Sequence, residues 1–320
     1  MRRLIVAVLV VAGLWMGFWA IAQTTLERGI RAFISNPQPG VEVTATDVSV
    51  VGFPNRLDTT LTDIAVTLPE NGTVWTASFV RLFALVYRPT EVIAALPPEH
   101  VVETPLQRVE IAHDSARASA ALQATDDFAL DRATLVIENG RAASSLGWGL
   151  SLDEIRLSIA EIEDADYRLG AEGLDIRLDA IPDGVPQSIS RLHLDARAAF
   201  TQAWDRTAMK SDRLPQITSL DIADITVDWG GMSFLATGAV TVDRTGTPDG
   251  QLDLTIVGWQ EALDALTRTG ILPADIGPAL RFALATLADG DRLNVPLGFR
   301  NGLTTLGPLP VGPAPNLTIR

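Results

Sequence analysis

The sequence predicts a mainly β protein of antiparallel, meander-type curved sheets, with a few short helices and one N-terminal transmembrane helix. Three observations carry this. Residues 4–22, LIVAVLVVAGLWMGFWAIA, contain no charge, and at about 1.5 Å per residue they reach across the roughly 30 Å of a hydrocarbon core. Beyond them the apolar residues recur at every second position, the period of a half-buried strand. Turn residues then punctuate these runs at short intervals, as hairpins require and βαβ crossovers do not.

Arg2 and Arg3 precede the apolar run and hold that end on the cytoplasmic side, so everything after it is exported. Ala20-Ile21-Ala22 ahead of Gln23 also fits a cleavage site, so a removable signal peptide competes with a retained anchor; the length of the run favours the anchor. Trp15 and Trp19 sit near its outer end as membrane-interface residues. In TTLERGIRAFI, Leu26, Ile30, Phe33 and Ile34 follow helical spacing, which extends the helix until Asn36-Pro37 and Pro39-Gly40 stop it. The expected organisation is a transmembrane segment over 1–22, a juxtamembrane amphipathic helix over 23–36 and a β-rich domain over 37–320.

Within that domain Thr60, Thr62, Ile64, Val66 and Leu68 alternate, as do Ile155, Leu157 and Ile159, then Leu174, Ile176 and Leu178, then Leu192, Leu194 and Ala196. ENG at 70–72 and 138–140, PDG at 182–184 and 248–250, and WGG at 229–231 supply turns, each with a residue that accepts positive φ. VRLFALVY extends a buried strand. Three short helices are expected: PTEVIAALP, with a threonine cap and a proline stop; WQEALDALTRTG, closed by Gly270; and PADIGPALRFALATLADG, closed by Gly290. Helical segments after Trp75 and Trp259 suggest a weak internal repeat.

The chemistry is sparse. A net charge of −14 over 320 residues repels phosphate backbones, so nucleic acid is not an expected partner. The absence of cysteine removes thiolate nucleophiles, thiolate metal ligands and redox pairs. Three histidines remain. None are spaced as H-x-x-x-H; His113 beside Asp114 reads as a surface residue and His100 as part of a proline-bounded loop. No catalytic residue, metal site or cofactor is expected, and the protein is read as non-enzymatic.

Two segments stand out as binding candidates. GFPNR offers Phe53 as a bulky anchor and Arg56 as a bidentate donor on a bend built by Gly52 and Pro54; it serves either as a bend with its own ion pair or as a partner or anion contact, together with Arg88 and His100. In GAVTVDRTGTPDGQLDLTIVGW, Val240, Val242, Leu252, Leu254 and Ile256 fall on one dry face, which meets another sheet, closes into a barrel or lines a groove for apolar cargo.

That hairpin and the helix after it resemble the C-terminal hairpin-plus-helix of AsmA-like bacterial envelope proteins. VVGFPNRLD (50–58), LVYRPTEVIAALPPEH (85–100) and GPLPVGPAP (307–315) resemble, in order, the uncharacterised bacterial envelope family called domain of unknown function 2125. The resemblance implies an inner-membrane anchor, a periplasmic β-sheet with an apolar face, and work on phospholipid or other apolar ligands in envelope homeostasis. The alternatives are a scaffold that binds another envelope protein through a closed sandwich and, less favoured, a hydrolase.

Overall fold

The computed structural model describes the chain apart from residues 37–39, 126, 182, 209–213, 271, 273–276 and 320. Pro37, Pro39, Pro182 and Pro273, expected to break or start elements, lie outside the described residues. The chain divides into two compact units, Met1–Leu122 with Val136–Gly147, and Gln123–Leu135 with Trp148–Arg320. All strand pairs described below are antiparallel.

The first unit opens with helix α1 (Arg2–Ser35), one unbroken helix through both the apolar and the amphipathic segment. Strands β1 (Glu42–Thr44), β2 (Asp47–Val51), β3 (Arg56–Leu68), β4 (Thr73–Leu85), β5 (Arg88–Ala95), β6 (Glu99–Glu103), β7 (Arg108–Ala112) and β8 (Ser115–Leu122) follow, and β9 (Leu130–Ser144) enters with its later residues. β1 and β2 both pair with β3, β3 pairs with β4, and β4 carries β5 on one stretch and β6 on another. Trp19, Gln23, Leu26, Ile30 and Ile34 form the half-buried stripe of α1, spaced three to four residues apart as one helix face demands. Ile30 and Ile34 pack on a core of Val48, Leu61, Ile64, Ala77 and Val80. Phe33, expected on that face, points outward because it falls one position short of Ile34.

Several expectations fail here for a common reason, tertiary pairing overriding local signals. PTEVIAALP is strand β5, not a helix: β-branched Val92 and Ile93 are held between Ala84 and Phe83 of β4 and Ala120 and Ser119 of β8. Trp75 therefore sits near the start of β4 with no helix after it, and the repeat disappears. In β3 the alternation changes phase at Asp63, whose φ of 49° lets Leu61 and Ile64 share one core; Thr60 and Thr62 do not share the face of Ile64. Glu138 to Gly140 is no turn but part of β9, with Asn139 at φ 51°.

The second unit is a meander in strict chain order: β10 (Gly149–Glu163), β11 (Asp166–Leu178), β12 (Ser188–Phe200), β13 (Ile217–Trp229), β14 (Met232–Val242), β15 (Pro248–Val257), β16 (Arg292–Arg300), β17 (Leu303–Leu306) and β18 (Leu309–Pro313). Helices α2 (Trp259–Arg268) and α3 (Gly277–Ala285) interrupt it between β15 and β16. Gly230 and Gly231, at φ 56° and 89°, make the two-residue turn that WGG predicts. The β14–β15 turn does not use PDG: Pro248 to Gly250 already pair with β14, and Asp243 makes the turn by accepting from the backbone N–H of Thr245 at 2.8 Å and of Thr247 at 3.0 Å. α3 ends at Ala285, ahead of Gly290.

The largest core here joins sheet to helices. Ile256, Leu293 and Val295 meet Trp259, Ala262, Leu263 and Ala265 of α2 and Leu280 and Leu284 of α3. Leu293 is fully buried, so Leu293→Ala leaves a cavity as well as losing transfer energy and is expected to destabilise the protein by about 2–5 kcal/mol. Leu157→Ala, at a 40% exposed position, is expected to cost under about 1 kcal/mol. Urea unfolding of the detergent-solubilised full chain measures both.

Candidate functional site

Pairing in register turns the period-2 pattern of seven separate strands into continuous rows. Leu157 of β10 lies opposite Ala171, Ala171 opposite Leu194, Leu194 opposite Ile225, and the row continues through Ala236 and Leu254 to Val295 of β16. The next row runs Ile155, Gly173, Leu192, Val227, Phe234, Ile256, Leu293. Directly paired residues point to the same side of a sheet, so these rows make one apolar face. The intervening row, Arg156, Glu172, His193, Thr226, Leu235, Thr255, Asn294, is polar at six of its seven places and makes the other.

Burial of the apolar face is graded. At the β14–β16 end α2 and α3 cover it, and Val295 and Leu293 are buried; at the β10–β12 end Ile155, Leu192 and Leu194 are half-buried and Leu157 is exposed. The hairpin residues singled out in the sequence lie toward the covered end. Val240 and Leu252 pack with Ala196, Ile222 and Phe299, Ile256 packs under the helices, Val242 is buried at the hairpin end, and Leu254 alone is half-buried. Sequence alone does not show the open part of the face, because Ile155, Leu157 and Leu192 carry only an alternation signal; what makes them a surface is their alignment with strands as distant in sequence as β16.

On the polar face Arg168 grips Asp195 with two hydrogen bonds of 2.9 and 2.6 Å, and Arg197 pairs with Asp166. Arg168 holds the Asp195 carboxyl below the usual carboxylate range. The Arg168–Asp195 pair lines an open depression of about 310 Å³ beside His193 and Glu172, and both exposed pairs read as a solvated ladder.

In the first unit the structure brings three of the predicted features together. The GFPNR bend, the two tryptophans and the amphipathic helix form one contact: Trp15 Nε1 donates to the Pro54 carbonyl at 2.7 Å, Trp19 Nε1 to the Arg56 carbonyl at 2.9 Å and Gln23 Nε2 to the Val50 carbonyl at 2.8 Å. Phe53 stands edge-on to Trp19 with centroids 5.4 Å apart. Gly52, at φ 117°, permits the bend; a Cβ there would come within 2.9 Å of the Arg56 carbonyl oxygen. Arg56 forms its own ion pair with Asp58 at 3.0 Å and lies 5.5 Å over the Phe83 ring. Arg88, exposed, is 3.6 Å from Glu91. Arg2 and Arg3 are on the exposed first turn of α1.

His100 and His113 depart from expectation. His100 is on β6, not in a loop, and His113 is 5% exposed rather than on the surface. The β6–β7 hairpin returns the chain so that the His113 backbone N–H donates to the Pro98 carbonyl at 2.9 Å; the two rings meet at 5.3 Å, and Trp75 stands edge-on to His100 at 6.0 Å. Burial lowers both imidazoles below their ordinary range, and the positive charge of one disfavours that of the other at His100. Among the described residues no group of three or more His, Asp or Glu is placed to hold a metal ion.

An N-terminal helix long and apolar enough to cross a membrane, followed by antiparallel sheet with one apolar and one polar face, defines the class of protein. The chain belongs to the family described as "Uncharacterized protein conserved in bacteria (DUF2125)", which matches residues 19–315. No curated protein and no solved structure matches it.

The histidine pair makes stability pH-dependent with a definite sign. Because both folded pKa values lie below the unfolded value of about 6.5, the unfolded chain takes up protons first, so their contribution is complete above about pH 6.5 and is lost as pH falls through that value toward the folded pKa. His113→Phe is expected to flatten the melting-temperature profile between about pH 7.5 and 5.5 relative to the unaltered protein. An unchanged slope would mean that other groups carry the acid sensitivity.

Proposed function

We propose that this is a non-enzymatic, single-pass protein of the bacterial inner membrane whose β-rich part lies in the periplasm and holds acyl chains or other apolar cargo on the open part of its sheet face. The observation that carries the reading is the graded apolar face: its rows cross seven strands, closed under α2 and α3 toward β14–β16 and by the Ala196, Ile222 and Leu252 core at one stretch of β12–β15, while Leu157, Ile155, Leu192 and Leu194 toward β10–β12 stay half-buried or exposed. A soluble sheet that packed only on itself would have no reason to leave Leu157, Ile155 and Leu192 half open in two adjoining rows of one face, whereas an apolar ligand needs a surface of this kind. The likeness to AsmA-like proteins, with their apolar periplasmic sheets, agrees with it. The cargo surface is thereby moved from the β14–β15 hairpin, which is core, to β10–β12.

Retention of α1 as an anchor is supported by the hydrogen bonds of Trp15 and Trp19, both of which cleavage after Ala22 would remove. The intact mass of the mature protein is expected to begin at Met1, and a mass beginning at Gln23 would identify a signal peptide instead.

Cargo is tested by native mass spectrometry and lipid extraction of gently solubilised protein. Phospholipid is expected to co-purify, and Leu157→Glu, which puts a charge at the exposed end of the first row, is expected to release most of it while the urea midpoint moves far less than for Leu293→Ala. Lipid-free protein that retains a stoichiometric protein partner would favour the scaffold reading.

A further inference from the structure

Helix α1 and the strands of the first unit meet too early for the two to lie in separate media. Contact begins at Trp15 and Trp19, which donate to the carbonyls of Pro54 and Arg56. From Leu4, the first apolar residue after Arg2 and Arg3, to Trp15 the helix rises only about 16 Å, against the roughly 30 Å of a hydrocarbon core. Tilt shortens that rise further. Long arginine side chains recover part of the shortfall by snorkelling; the body of the protein has to meet the rest.

The end of the sheet that receives the tryptophans is suited to it. Val51 is 58% exposed and Phe53 50%, and Tyr87, on the β4–β5 turn, is 59% exposed. The turns belong to the same sheet end, because Arg56 lies opposite Leu85, and Leu85 opposite Arg88. The carboxylates of Asp58 and Glu91 nearby are each matched by an arginine, Arg56 and Arg88, whose guanidinium groups are half or more exposed.

We propose that the 51–54 loop and Tyr87 form a wedge seated in the headgroup–acyl boundary of the periplasmic leaflet, so that the first unit is docked in the same bilayer that α1 spans. The partner of this patch is the lipid surface. Apolar elements of this kind enter about 5–10 Å, a depth that places Phe53 and Val51 among the upper acyl carbons, Tyr87 at the interface and Arg56 and Arg88 within reach of lipid phosphates. The proposal rests on the retention of α1 as a span.

The chain has no cysteine, so a single introduced one is labelled uniquely. Full-length Val51→Cys, Tyr87→Cys and Leu106→Cys proteins, each carrying an environment-sensitive fluorophore, are reconstituted into phosphatidylethanolamine–phosphatidylglycerol vesicles containing spin-labelled lipid. Leu106 is the control: it is 84% exposed on the β6–β7 turn, at the other end of the sheet, where Glu103 pairs with Val74. Co-flotation with vesicles, strong quenching at positions 51 and 87 and none at 106 are expected. Co-flotation with all three labels equally open to aqueous quencher overturns the wedge and leaves the anchor standing. Labels at 51 and 87 shielded from water but unquenched by lipid overturn it in favour of a protein contact. Failure to float removes the anchor and the wedge together.

Discussion

In the second unit everything depends on the register of antiparallel pairing. Each strand alone has an apolar side only by virtue of its period of two, and a slip by one residue would turn that side over. From β10 to β16 the pairs hold register so that Leu157, Leu194 and Leu254 share one row while Arg156, His193 and Thr255 share the next. Where irregularities occur, as between Ile222 and Ile225, they fall where the apolar series resumes on the same face. The sheet is thereby amphipathic across its width, which no single hairpin could achieve.

Helices α2 and α3 then decide how much of that face is closed. Trp259 anchors the start of α2 by donating from Nε1 to the Gly290 carbonyl at 3.2 Å, so the segment that leaves β15 is folded back over Ile256 and Leu293. The same chemistry of strands thus gives dry core at one end and a half-covered surface at the other. Around Ile256, Leu293 and Val295 the closure comes from the helices above them; the core of Ala196, Ile222, Val240, Leu252 and Phe299 closes with no helix residue in it.

Local signals in the sequence announced most elements: the alternation of Leu192, Leu194 and Ala196, the Gly230-Gly231 turn, the Trp259 helix and the apolar run of α1 each depend on residues near in sequence. What failed was non-local. Thr90 looks like a helix cap until β4 and β8 claim Val92 and Ile93 from both sides. His113 looks exposed until the β6–β7 hairpin places it against His100. Asp63 and Asn139 take positive φ inside strands, a choice paid for by packing that only the assembled sheet supplies. For the candidate site the sequence identified an apolar face but located it at the hairpin, since neither the helices over Ile256 nor the packing of Val240 and Leu252 on Ala196, Ile222 and Phe299 is visible in the alternation of β14 and β15.

Helix α1 has no break between its apolar run and its amphipathic stripe, and its side chains are tied to the first unit at Trp15, Trp19, Gln23 and Arg31, the last through Asp47 at 3.0 Å. A flexible tether would let a tethered body tumble; a continuous rod fastened at four points from Trp15 to Arg31, over about four turns, transmits torque. On the proposed membrane reading the first unit has no swivel, and the bearing of its strands is set by the tilt of the rod. Bilayer thickness, which governs that tilt, would then act as a steering variable for the part of the protein that stands outside it.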